Sequence, residues 1–286
     1  MRTIIVAALV VLVTGTAHAT PGQCQRTIIR EAASLNRKVM KLFQSCNEKN
    51  IGRSVPLDCS EGGLIVSFTL EGYRAGFRTH IEKECRHETL GSIGWTSCPS
   101  FEGQCAGAIA DLTGVEDCVF CINDAAEAQA IALSYAALTP DPDSHLRLCQ
   151  KAIGKEAKNF FFKKIKAMER CELRDFSGDI MGPCPGDPKT DQTIAAASTK
   201  MEAKICGRCG GDDRICGSGD DRSAGEIGFT TSCPNVTVPG GPSCANPAVD
   251  TLTELVDCVN CVTEFKVDCL DALASPLVKA YPPECL

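Results

Sequence analysis

Large aromatic side chains are scarce in this chain: Phe, Tyr and Trp together make up 5% of 286 residues, with a single Trp. A core built from so few rings must find part of its stability elsewhere. Histidine is nearly missing too, at 4 residues, one of which, His18, lies in an N-terminal leader. A Ser-His-Asp or Cys-His engine therefore has few bases to draw on, and no nucleophile-elbow or H-E-x-x-H string occurs. Beyond the leader no apolar run approaches the roughly eighteen residues a membrane helix needs, so no membrane span is expected. Basic charge is not in excess either. The balance of 29 Lys and Arg against 36 Asp and Glu gives −7, which argues against nucleic acid as a partner.

What the chain has in quantity is cysteine, 20 residues. The leader itself, residues 1–19 (MRTIIVAALVVLVTGTAHA), joins Arg2, an apolar run from Ile4 to Val13, and small residues at Ala17 and Ala19. That is the pattern of a cleavable signal peptide. Export places the cysteines in a secreted or periplasmic setting, where thiols oxidise and disulfides persist. An even cysteine count there reads first as a disulfide framework, each bridge contributing roughly 2 to 4 kcal/mol and not additively.

The cysteine spacing is periodic on a long scale. Cys24 to Cys46 matches Cys149 to Cys171, and Cys46 to Cys59 matches Cys171 to Cys184. Further on, IGWTSCP ends near Cys98 and IGFTTSCP near Cys233, followed by Cys105 and Cys244. The C-x-x-C pairs Cys118/Cys121 and Cys258/Cys261 sit in similar flanks, VEDCVFCI and LVDCVNCV. Two copies of one unit account for this. The expected division is a first repeat over 20–139, a linker at 140–143 in TPDPDS, and a second repeat over 144–286 opened by Ser144 as a helix cap.

Within each copy the fold class expected is all-α, as a disulfide-stapled three-helix unit. From Cys24 the residues Ile28, Ala32, Leu35, Val39, Leu42 and Cys46 recur at helical steps, and Cys149, Ile153, Ala157, Phe160, Ala167 and Cys171 repeat the theme. Both cysteines of each stripe lie on one helix, some 33 Å apart at about 1.5 Å per residue, and so cannot bond to each other. Each must reach the next helix, expected over 64–87 in the first copy and 187–205 in the second. LIVSFTL at the start of the former is rich in β-branched residues and also fits a short strand. An antiparallel hairpin then pairs Cys24 with Cys85 and Cys46 with Cys59. The second copy pairs Cys171 with Cys184, and Cys149 with either Cys206 or Cys209. The third helices are expected over 115–138 and 251–273. Cys98, Cys105, Cys118 and Cys121 bond among themselves, as do Cys233, Cys244, Cys258 and Cys261, in an order that four cysteines leave open among three. Cys269 pairs with Cys285.

The strings CQKAIGKEAKNFFFKKIKAMERC and AYPPECL resemble those of cysteine-rich proteins exported by environmental bacteria. The resemblance covers most of the second copy and implies no activity. Plant lipid-transfer and saposin-like helical proteins differ in cysteine spacing.

Three kinds of chemistry are conceivable from residue types alone. The C-x-x-C pairs Cys118/Cys121, Cys206/Cys209 and Cys258/Cys261 have dithiol spacing, but Leu252, Leu255 and Val256 place Cys258 inside a helix and not at its N-terminus, where a redox thiolate is stabilised. His80, Glu84 and His87 share one helical face and form a transition-metal candidate, or a solvated polar face. Asp212, Asp213, Asp220, Asp221 and Glu226 crowd a glycine-rich stretch and form a calcium candidate, or a solvated turn. No cofactor is implied. The distinctive residues are framework cysteines, so a non-enzymatic binding or structural module is the first expectation. A dithiol oxidoreductase or metal-dependent hydrolase is the second, and a carrier of a small apolar ligand between stapled helices the third. Charge adds one expectation: residues 144–171 hold eight basic and two acidic side chains, and 111–127 hold five acidic and none basic. Docking of the acidic third helix on the basic fourth would leave complementary ends for head-to-tail self-association.

Overall fold

The computed structural model describes residues 20–135, 143–180, 182–245 and 248–286; the leader and residues 140–142 of the expected linker lie outside them. The described residues are all-α: α1 (Pro21–Asn50), α2 (Leu64–Cys85), α3 (Leu112–Tyr135), α4 (Ser144–Phe176), α5 (Pro188–Cys209), the single turn α6 (Ala224–Ile227) and α7 (Leu252–Ala274). A small antiparallel ribbon, β1 (Ser97–Cys98) with β2 (Gly107–Ala108), precedes α3.

Helix ends follow capping chemistry. Thr20 Oγ1 accepts from the Gln23 amide at 3.3 Å, the Gln23 side chain accepts from the Thr20 amide at 3.0 Å, and Pro21 opens α1. α4 is capped by Asp143, whose carboxylate accepts from the Leu146 amide at 2.7 Å. Ser144, the expected cap, is instead the first helical residue, since Asp caps as well as Ser and adds charge that suits the helix N-terminus. LIVSFTL is helical: Val66 and Leu70, four residues apart, are both buried. α2 stops at Cys85, short of the expected His87, whereas α5 runs past the expected Ile205 to Cys209.

Ten disulfides pin these rods. α1 and α2 form a hairpin bonded at both ends, by Cys24–Cys85 with Cα atoms 4.9 Å apart and Cys46–Cys59 at 5.7 Å. α4 and α5 repeat it with Cys149–Cys209 at 4.8 Å and Cys171–Cys184 at 5.9 Å. Cys206 bonds to Cys216. The apolar stripe Ile194, Met201, Ile205 and Cys209 faces α4, and Cys206 is offset from it, so Cys209 is the residue that reaches Cys149. α3 is bonded to the preceding segment by Cys98–Cys118 and Cys105–Cys121, α7 likewise by Cys233–Cys258 and Cys244–Cys261, and the tail returns to α7 through Cys269–Cys285.

The two halves share one core. Buried side chains of both, from Ile28 and Phe77 to Phe160 and Phe265, belong to a single apolar cluster. Polar contacts cross the same seam: Gln25 Nε2 donates to the Ala274 carbonyl at 2.7 Å, and the buried Lys266 ammonium donates to the Ala126 carbonyl at 2.8 Å. Gly154 lets the end of α3 lie against α4, because a Cβ there would stand 2.1 Å from Tyr135 Oη.

Ion pairing departs from the expected docking of acidic α3 on basic α4. Three carboxylates of α3 serve α2: Glu116 and Asp117 each lie 3.6 Å from Arg78, and Asp124 pairs with Arg74. Lys164 of α4, buried, sits 3.0 Å from Asp268 of α7.

Candidate binding groove

α2 and α5 each end in the cysteine that bonds the start of the helix they pack on, Cys85 to Cys24 and Cys209 to Cys149, and their comparison locates a site. Counted back from the cysteine that ends each, the buried residues Val66, Leu70, Phe77 and Ile81 of α2 fall position for position on Thr190, Ile194, Met201 and Ile205 of α5. Even the cross-helix ion pair recurs, His80 with Glu31 at 3.0 Å in the first hairpin and Lys204 with Glu156 at 3.7 Å in the second. At one level the hairpins differ sharply. Tyr73 of α2, half-buried, lies against α1, with Lys38 Nζ 5.8 Å over its ring. The residue in its place on α5 is Ala197, and Lys163 stands where Lys38 does.

A ring's volume is thus missing from the second hairpin, and an open groove of about 810 Å³ runs between α4 and α5. Phe160 and Met201, both buried, form its floor with the half-buried Phe162 and Ala197. Lys163, Lys189, Lys200 and Lys204 rise from the two helices around it, and Asn159, Gln192 and Thr193 supply neutral polar groups. Of the four ammonium groups, Lys204 has the ion pair with Glu156. The other three have no carboxylate partner among the described residues and stand exposed. An apolar floor under a positive collar is suited to holding an apolar group that carries an anion.

The residues singled out for metal binding are used otherwise. Asp220 Oδ2 accepts from the Asp212 amide at 2.7 Å, Asp213 Oδ1 from the Ile215 amide at 2.9 Å, and Asp221 Oδ2 from the Gly217 amide at 2.6 Å. Glu226 accepts from the Ser223 amide at 2.8 Å as the capping partner of α6. The Ser218 hydroxyl, donating at 2.7 Å, and then the Asp212 amide hold Asp220 below the ordinary carboxylate range, and the Ser223 amide and hydroxyl do the same for Glu226. The calcium candidates therefore brace a turn closed by Cys206–Cys216. His80 faces Glu31 across the hairpin, Glu84 faces Lys83 at 3.5 Å, and His87 Nε2 accepts from Arg86 Nε at 3.0 Å. The trio does not converge. Among the described residues no set of three or more His, Cys, Asp or Glu is placed around one metal position.

The dithiol candidates are likewise dispersed. No C-x-x-C pair closes on itself: Cys118 and Cys121 go to Cys98 and Cys105, Cys206 and Cys209 to Cys216 and Cys149, and Cys258 and Cys261 to Cys233 and Cys244. No described cysteine is free. A dithiol oxidoreductase needs its two sulfurs to alternate between thiols and a mutual bond, an exchange these pairings do not provide for.

No protein-family model, curated protein or solved structure matches this chain. Sequence reasoning missed the groove because the residue that sets its level apart from the first hairpin is a small one. The one available signal was Ala197 standing against Tyr73 when the two hairpins are laid side by side from their cysteines.

Proposed function

We propose that this chain is an exported, non-enzymatic binding module whose working surface is the groove between α4 and α5, and that it takes apolar groups bearing negative charge. One observation carries the reading. Where the first hairpin fills its hollow with Tyr73, the second leaves it open over Phe160 and Met201 and surrounds it with lysines. Ten disulfides support an oxidising, extracytoplasmic setting, and among the described residues no helix is long and apolar enough to cross a membrane.

Titration with the anionic fluorophore 8-anilinonaphthalene-1-sulfonate tests this. Ala197→Tyr restores at the groove the side chain found natively at the matching place, and Lys189→Glu with Lys200→Glu reverses the collar. Each change should weaken probe binding by about tenfold or more, the effect of losing one strong contact. Binding unaltered in both variants would place the binding surface elsewhere and overturn the proposal.

A further inference from the structure

The face of α2 that corresponds to the groove is its opposite in character. Leu64, Ile65 and Phe68, adjacent on one side of the helix, are 85%, 73% and 85% exposed. Contiguous apolar exposure of this kind marks a contact surface more than a free one. Ile65 and Phe68 occupy the positions that Lys189 and Gln192 hold on α5, so the matched faces have diverged into a ridge and a hollow.

We infer that the groove receives a second copy of this chain: the Leu64, Ile65 and Phe68 ridge of one molecule seats between α4 and α5 of another, with the Phe68 ring beneath Lys163. The inference rests on the groove being a binding surface and names its occupant. Two features of the molecule select this partner. First, the hollow has the place of an aromatic ring under a lysine, and the first hairpin satisfies the same arrangement internally with Tyr73 and Lys38. Phe68 of a neighbour restores it from outside, as a ring against an ammonium. Second, the charges complement. Glu61, at 3.6 Å, and Glu71, at 2.7 Å, both meet the one guanidinium of Arg74 beside the ridge, so this cluster carries one carboxylate in excess. The groove answers with Lys163, Lys189 and Lys200.

Ridge and groove lie on different hairpins, so the contact is heterologous. It either propagates head to tail or closes when two molecules exchange ridges. Complementary charge also makes it salt-sensitive.

Sedimentation of wild type, Phe68→Glu, Ala197→Tyr, and an equimolar mixture of the two variants tests the inference. Phe68 is exposed and position 197 accepts the residue native to its counterpart, so neither change disturbs the core. Wild type should self-associate at low salt, with association weakened by about tenfold or more in either variant alone, the scale of a lost hot-spot residue. The mixture should form a one-to-one dimer, since Phe68→Glu retains a groove and Ala197→Tyr retains a ridge. A monomeric wild type, a variant that associates as wild type does, or a mixture that stays monomeric would sink the inference. Probe uptake by a monomeric wild type would leave the groove reading standing, with a small apolar anion as its ligand. A wild type that neither associates nor takes up the probe would remove both.

Discussion

Lys279 Nζ lies 2.7 Å from Glu172 Oε1, joining the C-terminal tail to a carboxylate of α4 that is wholly shielded from solvent. Asp271 of α7 faces the same ammonium, which also donates to the Cys184 carbonyl at 2.8 Å. One cation thus serves α4, α7 and the loop before α5. Lys279→Met keeps the aliphatic stem but leaves two buried carboxylates without a counter-charge. The expected cost is about 3 to 5 kcal/mol, the usual penalty for breaking a buried pair from one side. Urea unfolding followed by circular dichroism measures it, and a cost within experimental error of zero would mean the network is relaxed by water.

Buried acids give stability a definite pH dependence. Burial pushes the Asp268 carboxyl up to about 6 despite Lys164, raises Glu127 well above its ordinary range, and raises Glu172, with Asp271 adding like-charge repulsion. Each binds its proton more tightly folded than unfolded. Its contribution is therefore complete below the unfolded pKa of roughly 4 and is lost as pH rises through the folded value. Lys266, pushed down to about 7 by burial, acts in the opposite sense, losing stability as pH falls from its unfolded pKa toward 7 and changing little below that. Between about pH 5 and pH 7 the carboxylates decide. The thermal midpoint should fall by several degrees over that interval; a midpoint that climbs instead contradicts the assignment.

Pattern and chemistry made the helices legible, and the same logic explains what was not. Cys24 and Cys46 lie on the apolar stripe of one rod, so simple length forbids their bonding and sends each to a neighbouring helix. The choice between Cys206 and Cys209 stayed open in the sequence, and the structure settles it on Cys209, which ends the stripe through Ile194, Met201 and Ile205 and bonds to Cys149. The shared core was hidden because its seam is partly polar. Gln25 and Lys266 are residue types that ordinarily face water, yet each is buried against the other half of the chain. Counting charges along a helix places them on a solvated face. The groove was hidden for a different reason: an alanine contributes helix propensity whether or not a ring is missing above it.

The two disulfides that share the end of α5 should differ in what they contribute. Cys149–Cys209 spans a sequence separation of 60 and Cys206–Cys216 one of 10. On chain-entropy grounds, replacing the long-range pair by alanines should cost about 1.5 kcal/mol more than replacing the short one. Comparative denaturation of the two double variants checks this. Mass analysis of peptides from unreduced protein checks the pairing itself, and a fragment linking Cys149 to Cys206 would refute it.

If the groove exists because Ala197 stands where Tyr73 does, then removing Tyr73 should create its counterpart. Tyr73→Ala opens the space beneath Lys38 and over Phe77, the residue matched with Met201. The half-buried ring lost should cost about 2 kcal/mol, a tolerable change for a stapled hairpin. An uncharged probe such as Nile red should then bind at two places in Tyr73→Ala, at one in wild type, and again at one in the double variant Tyr73→Ala with Ala197→Tyr. The anionic probe should follow only in part. The new hollow is bordered by Ile65 and Phe68 in place of Lys189 and Gln192, so it lacks much of the positive collar and should hold anilinonaphthalene sulfonate several-fold more weakly. Equal affinity of the anionic probe for both hollows would show that the lysines contribute nothing to binding, leaving shape as the whole of the site.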